Sequence, residues 1–395
     1  MFFKKRFTAV LLASTLAAGF LAGCGSEGAG GDSKDSDVIK IGANLELSGP
    51  VASYGQGIAE GMELAVDEIN KAGGVDGKEI KITKVDNKSD GPEATNAAIK
   101  LTENDKVTAI IGSATSGNTV AQAQVANGAK TILLSPSGTS PNVTVNDDGS
   151  VNEYVFRTSF IDPFQGRVAA NFAIDELSAK NVAIYADNAS DYAKGLAASF
   201  KETVEKAGGK VVAEESYVAK DTDFRSTLTR IKSAKPEFIF IPGYYEEVGL
   251  IVKQAREMGI DVPLMGADGW DSPKLVELAG ADALNNTFIT NHYSAGDPDE
   301  KIQTFVTKFG EKYSGKSPDA FNALGYDSVY LLVDAMKRAG DTSDATKIKD
   351  ALAETKDLSL VTGIVTVDED HNPIKSATVL EYKDGEQVFK SKVNP

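Results

Sequence analysis

The sequence predicts two α/β lobes of similar topology, each a parallel sheet covered by helices on both faces. Three observations carry this expectation. From Val38 onward, short β-branched runs ending in Gly, Ser, Pro or Asp alternate with longer amphipathic runs, the texture of strands buried on both faces by crossover helices. A helix terminus recurs, Lys71-Ala72-Gly73-Gly74 and then Lys206-Ala207-Gly208-Gly209, each leading into a strand; glycine supplies the left-handed residue that ends a helix. Strand ends recur in the same order, Ile111-Gly112-Ser113 matching Pro242-Gly243-Tyr244 and Leu134-Ser135-Pro136 matching Met265-Gly266-Ala267.

The first set is read as strands at 38–45, 79–86, 107–111 and 131–134, with helices at 55–72, 91–103 and 118–127. The first helix rests on spacing: Ile58, Met62, Ala65, Val66 and Ile69 recur at intervals of three and four. The second set has strands at 181–186, 211–217, 238–241 and 263–265. Its helices lie within 159–177 and at 193–207, 224–233 and 246–258. The remainder, with helices at 302–313, 320–338 and 345–354 and strands at 361–367 and 377–382, is short for a third domain. It is expected to complete the two lobes. The chain would cross between them near Arg157–Ile161, Thr290–Tyr293 and Gly363–Asp368, short segments of the kind a hinge requires.

The N-terminus predicts the compartment. Lys4, Lys5 and Arg6 precede an apolar run from Phe7 to Phe20, and Leu21-Ala22-Gly23-Cys24 follows. A charged start, a short apolar core and small residues before a cut site mark a secretory signal, and the flanks are wrong for a membrane span. Cys24 is the only cysteine, so no intramolecular disulfide can form. Residues 25–37 are Gly, Ser, Asp, Glu and Lys with a single Ala, a composition that cannot bury enough to fold and reads as a tether. Losing residues 1–23 removes three of the 41 basic residues, leaving 38 against 57 acidic ones and a net charge of −19. That excess argues against nucleic acid or an anionic membrane face as partner.

Ligands of open parallel sheets bind outside the carboxyl ends of the strands. In the first set those ends carry Ser48-Gly49-Pro50 with Ser53-Tyr54-Gly55, then Gly112 to Thr119, then Ser135-Pro136-Ser137-Gly138-Thr139. These small hydroxyl-bearing loops run into helices, offering N–H groups and hydroxyls at the positive end of a dipole, which suits a carboxylate or phosphate. Helix capping by Ser116 or Thr139 is the simpler explanation of any one loop; two such loops on successive strand ends shift the balance toward a site. The second set's strand ends carry Asp187, Tyr192, Tyr244, Tyr245, Asp268 and Trp270. A small zwitterion would use both: its carboxylate on Ser116, Thr139 and nearby N–H groups, its ammonium on Asp268, its side chain among rings. A buried ammonium must be paired. Ala267-Asp268-Gly269 is also good turn chemistry, which leaves a turn role for Asp268 open.

Catalytic readings find little support. His292 and His371 lie in separate regions without a cysteine nearby. His-Glu-x-x-His, Cys-x-x-Cys, Gly-x-Ser-x-Gly and the phosphate-binding Gly-x-x-x-x-Gly-Lys-[Ser/Thr] are all missing. Gly55-x-Gly57-x-x-x-Gly61 has one residue too many for a dinucleotide fingerprint and reads as close helix packing. The stretch from Asp368 to Asn372 begins like a calcium loop but has Pro373 where Gly belongs and Val379 where Glu belongs, so it is read as a solvated turn. No cofactor, metal or enzymatic activity is expected.

The sequence resembles the branched-chain amino-acid-binding proteins of ABC importers, the leucine/isoleucine/valine type. The resemblance runs from Ile39 to about Tyr382. It is carried by Ser48-Gly49-Pro50 with Tyr54-Gly55, the run from Ala65 to Gly74, Arg157-Thr158 with Asp162 and Gln165-Gly166, Asp223-Phe224, Gly243-Tyr244 and Met265-Gly266. Leu-Ala-Gly-Cys resembles the bacterial lipobox, which implies lipidation of Cys24 and anchoring to the outer face of the cell membrane. The family implies a periplasmic-binding-protein-like type I fold, two Rossmann-like lobes joined by a three-crossing hinge. Lobe 1 would comprise 38–158 plus 291–365, and lobe 2 159–290 plus 366–395, after a 1–23 signal peptide and a 24–37 tether. Position by position, the resemblance places Ser116, Thr139, Thr115 and Ser137 at the ligand carboxylate and Asp268, often Glu in relatives, at the ammonium. Tyr54, Tyr192, Tyr244 and Phe321 fall around the side chain; Trp270 is added to that pocket as a neighbouring ring, without a family role. The implied partners are an aliphatic amino acid and the permease and ATPase of an importer, served by a monomer. A lipoprotein of the same fold that reports amino-acid or amide levels to a receptor is the alternative.

Overall fold

A computed structural model of the chain describes residues 38–395. Residues 1–37, which hold the expected signal peptide, Cys24 and the expected tether, lie outside the described residues.

The first sheet is built from β1 (Val38–Leu45), β2 (Glu79–Asp86), β3 (Ala109–Gly112), β4 (Ile132–Ser135) and β5 (Val155–Arg157). All its pairings are parallel and its strand order is β2-β1-β3-β4-β5. Both faces are buried, as the apolar runs require. Ile111 of β3 and Leu134 of β4 pack with Ile58 and Met62 of helix α1 (Ala52–Lys71). The intervening Ile110 and Leu133 pack on the opposite face. There they meet Ala98 of α2 (Gly91–Ile99) and Ala123 of α3 (Ser116–Gly128).

Helix α4 (Asp162–Asn171) opens the second half. Its sheet starts with β6 (Asn181–Asp187), β7 (Lys210–Tyr217), β8 (Phe238–Phe240), β9 (Leu264–Gly266) and β10 (Thr287–Asn291), joined by α5 (Asp191–Lys206), α6 (Arg225–Ser233), α7 (Tyr245–Glu257), α8 (Pro273–Ala279) and α9 (Ala281–Leu284). The parallel part runs β7-β6-β8-β9-β10. This repeats the order of the first sheet, so the matched strand ends in the sequence are topologically equivalent: β3 with β8, and β4 with β9.

The chain then returns to the first half through α10 (Glu300–Lys312), α11 (Ala320–Ala339) and α12 (Ala345–Ala353). A small sheet of β11 (Leu358–Leu360), β12 (Gly363–Val367) and β13 (Pro373–Ile374) follows, and β14 (Ala377–Lys383) and β15 (Glu386–Val393) add antiparallel strands beside β10. The glycines at 57 and 61 serve close helix packing. A Cβ on Gly61 would stand 1.9 Å from the Asn322 carbonyl oxygen of α11, and one on Gly325 would stand 2.3 Å from the Ile58 carbonyl oxygen of α1.

The last crossing comes later than expected. The turn at 368–372 is held against the first half: His371 stacks on Phe156 at 3.9 Å, and Thr144 Oγ1 donates to Asn372 Oδ1 at 3.1 Å. The chain therefore changes sheets between β13 and β14, at Lys375–Ser376, not within Gly363–Asp368. The boundary expected at 365/366 shifts accordingly, and the turn is tied down on one side.

Candidate ligand-binding site

The carboxyl ends of the two sheets face one small, partly open space of about 10 Å³. Each strand-order reversal, at β1/β3 and at β6/β8, leaves a crevice between diverging loops. From the first half the lining is Tyr54, Ala114, Thr115, Ser116, Ser137 and Phe321; from the second it is Tyr192, Tyr244, Asp268 and Gly269.

Ser116 begins α3. Its Oγ accepts from the backbone N–H groups of Thr139 and Ser140, both at 3.1 Å. With its oxygen so engaged, the hydroxyl proton is the part left to donate. Ser137 Oγ donates to the Ala114 carbonyl at 2.7 Å, tying the two loops together. Buried Arg157 supports the second loop from below, donating to the Gly138 carbonyl at 2.8 Å and to Thr144 Oγ1 at 3.0 Å. Burial pushes its guanidinium down to about 10.

Thr115 does not present free donors. The fully buried Glu46, just past β1, accepts from Ala114 N at 2.8 Å, Thr115 N at 3.1 Å, Thr115 Oγ1 at 2.8 Å and Asn118 Nδ2 at 2.8 Å. An internal carboxylate thus takes the two amides just ahead of α3. Thr115 still lines the space, but its expected hydrogen bonds to a ligand carboxylate are already committed.

Thr139 stands behind the lining. Its Oγ1 and both Asp162 carboxylate oxygens are buried without a hydrogen bond. Burial pushes the Asp162 carboxyl well above the usual carboxylate range; the Thr139 hydroxyl and Arg157 oppose the shift, and Asp268 adds to it.

Asp268 is 3% exposed and held from three sides. Its Oδ1 accepts from Gln165 Nε2 at 3.0 Å and from the Tyr192 hydroxyl at 2.7 Å, and its Oδ2 lies 3.0 Å from His292 Nε2. Gln165 Oε1 in turn accepts from Asp268 N at 2.9 Å and from Thr290 Oγ1 at 2.7 Å. Asp268 is therefore more than a turn residue: its carboxylate is fixed and faces the space.

The rings form a box. Tyr54 stacks on Phe321 at 4.2 Å and meets Tyr244 edge-on at 5.9 Å; Tyr244 stacks on Tyr192 at 5.2 Å. Trp270 is not part of it. It is fully buried under β9, its indole N–H donating to the Ile241 carbonyl at 2.9 Å and its ring pressed against Gly266. Its size and its place after a strand end suggested a pocket wall, but its side chain turns into the sheet's own core.

Sequence reasoning missed Glu46, Gln165 and His292 as site residues. Glu46 carried one usable signal, an ionisable residue between Leu45 and Leu47 at the end of an apolar strand. Among the described residues there is no cluster of His, Cys, Asp and Glu fit for a metal and no helix long and apolar enough to cross a membrane.

Known proteins share this arrangement of the chain. The family model for periplasmic binding proteins matches residues 38–387. The leucine-, isoleucine-, valine-, threonine- and alanine-binding protein of Pseudomonas aeruginosa is 31% identical over 318 residues, 80% of this chain and 82% of that protein. The branched-chain amino acid transporter substrate binding protein of Streptococcus pneumoniae, solved in complex with isoleucine, is 42% identical with a TM-score of 0.85, covering 91% of this chain and 100% of that one. A leucine binding protein of Thermotoga maritima is 35% identical with a TM-score of 0.85, covering 90% and 99%.

Proposed function

Since the chain belongs to the periplasmic binding protein family, we propose that it captures a branched-chain amino acid between its lobes and delivers it to the permease and ATPase of an ABC importer. Membership carries an extracytoplasmic place and a role in binding rather than catalysis. One observation supports the ligand reading above others: a single space has the Ser116 hydroxyl and the start of α3 on its first-half wall, a fixed carboxylate on its second-half wall and four rings around it. The ligand carboxylate meets the Ser116 hydroxyl and the free N–H groups of the first turn of α3. Its ammonium meets Asp268, and its aliphatic side chain lies among Tyr54, Tyr192, Tyr244 and Phe321.

Energetics bound the selectivity. Burying an aliphatic side chain supplies about 1.5–3 kcal/mol, while micromolar binding corresponds to roughly −8 kcal/mol, so the zwitterion clamp carries most of the affinity. One methylene is worth about 1–3 kcal/mol, so leucine, isoleucine and valine should all bind. Calorimetry with the body from residue 38 onward is the test. Binding of these three, with aspartate and lysine rejected, fits the reading; failure of all three removes it.

The chain is held to the outer face of the cell membrane by lipid on Cys24. The support is the Leu21-Ala22-Gly23-Cys24 tetrad and the polar tether after it. Metabolic labelling with a radioactive fatty acid should mark the wild type and not Cys24→Ala; equal labelling would rule out this anchor.

A further inference from the structure

His292 is 3% exposed and sits where the chain leaves β10 for the first half. Its ring stacks on Phe160 of the first crossing, centroids 3.8 Å apart and planes 23° from parallel. Its Nε2 lies 3.0 Å from Asp268 Oδ2. An ionised carboxylate only accepts, so the ring proton sits on Nε2. That leaves Nδ1 a buried acceptor with no hydrogen bond.

The same geometry counts the acceptor capacity of Asp268. A carboxylate has about four lone-pair directions. Gln165 and Tyr192 fill both on Oδ1, and His292 fills one on Oδ2. One direction on Oδ2 remains.

We propose that His292 is a positioning residue: it turns the Asp268 carboxylate so that the one open acceptor direction meets the ligand's ammonium, and a second ring proton on His292 drives that ligand out. The inference rests on the reading that the ligand carries an ammonium group.

Electrostatics decides the second half of the proposal. A neutral ring orients Asp268 and leaves its charge for the ligand. An imidazolium 3.0 Å from Oδ2 competes with the ammonium for one carboxylate. The charged groups facing the ring are Asp268 and, from the third crossing, Lys375. Burial first, and Lys375 after it, hold the imidazole below its ordinary range, and Asp268 opposes them. Asp162 of α4 also acts on Asp268; burial raises its own carboxyl, and the Thr139 hydroxyl and Arg157 oppose that.

The test is leucine calorimetry from about pH 8 to about pH 5 on the wild type, His292→Gln and His292→Leu. Nitrogen NMR of the ring accompanies it, because the chain has two histidines and each variant identifies the signals of His292 by their loss. Gln offers an N–H to Asp268 but does not titrate. We expect a neutral ring protonated on Nε2 near neutral pH and a wild-type affinity that falls about tenfold or more in acid. His292→Gln should bind within about threefold of the wild type near neutral pH and show a shallower fall in acid. His292→Leu should bind about tenfold weaker throughout. Should His292→Leu fail to fold, the comparison with His292→Gln decides. A proton on Nδ1, an unchanged affinity in folded His292→Leu, or the same acid fall in His292→Gln overturns the proposal. If no amino acid binds the wild type at any pH, the ligand reading fails instead, and the ring's tautomer still judges the His292–Asp268 pair.

Discussion

Asp268 concentrates the site's chemistry, and its neighbours sharpen what a substitution would do. In Asp268→Asn the Oδ1 position can still accept from Gln165 and Tyr192. The new amide N–H₂ would face the His292 Nε2–H, donor against donor, until the ring moves its proton to the unpartnered Nδ1. On the proposed clamp the ligand ammonium would lose its charged partner, at a cost of about 2 kcal/mol or more, roughly 30-fold in affinity. Calorimetry with leucine measures it, and unchanged affinity would take Asp268 out of the clamp. The strand-end loops made Ser116, Ser137, Asp268 and the tyrosines visible in the sequence because each follows a strand directly. Gln165 and His292 were not visible, and Glu46 showed only as an ionisable residue at a strand end, because each role depends on a partner on another element: Glu46 meets Thr115 across 69 positions, Gln165 meets Asp268 across 103 and His292 meets Asp268 across 24. Trp270 shows the converse. A large ring after a strand end reads as a pocket wall, yet Gly266 leaves room for it beneath the sheet.

The α1–α11 contact shows how elements are fitted together. Gly61→Ala puts a Cβ where the Asn322 carbonyl stands 1.9 Å away, so the helices must separate and the core between them loosens. Overpacking of this kind costs about 1–3 kcal/mol. Gly128, exposed at the last turn of α3, would meet nothing within 4 Å. Gly128→Ala should therefore be neutral or stabilising by up to about 1 kcal/mol. Urea unfolding of the two variants side by side checks the contrast, and equal losses would show that composition, not the close approach, matters. Most elements could be read because their periodicity is local: the 38–45 and 79–86 strands and the 320–338 helix were placed nearly to the residue. The three-residue β5 and β11 carry too few residues for a pattern. The exposed β15 has no buried face to announce it. Residues 361–367 were read as one strand, but the polar 368–372 turn that follows gave no sign of the ties that hold it to the first half and delay the crossing.

The whole molecule depends on a hinge and a latch. In the hinge, Lys375 is 2% exposed at the third crossing, and its ammonium donates to Thr362 Oγ1 and to the Thr158 carbonyl of the first crossing. Burial pushes it down to about 8, with Asp327 opposing. Its unfolded value is about 10.5. Between these the unfolded chain holds the proton and the folded one does not, so this group makes stability rise with pH across that window, by about 3 kcal/mol in all. Below about pH 8 both states are charged and the penalty of burial is fully present. Comparing wild type with Lys375→Met by urea unfolding isolates the effect, since the other titrations cancel. The stability difference should move in favour of the wild type between about pH 8 and about pH 10, and a difference that stays flat would mean the ammonium is not desolvated.

The latch is Tyr54. Its hydroxyl donates to the Gly269 carbonyl and accepts from Tyr245 N at 3.2 Å, joining α1 of the first half to two loops of the second. Ser272 Oγ donates to Ser53 Oγ at 2.8 Å and the Tyr245 hydroxyl donates to the Pro50 carbonyl at 2.7 Å beside it. These bonds exist only when the halves are together, so their energy biases the closed form whether or not the ligand touches them. Tyr54→Phe keeps the ring stacked on Phe321 and removes only the hydroxyl, leaving two buried backbone groups unpaired on the closed side. An unmade bond of this kind costs about 1–3 kcal/mol. Apparent affinity scales with the closed fraction, so leucine should bind about tenfold weaker, with most of the loss in faster release. Stopped-flow release and small-angle scattering of the ligand-free variant would test this together. An unchanged release rate with an unchanged radius of gyration would mean that the ligand alone, not the tyrosine, holds the two halves shut.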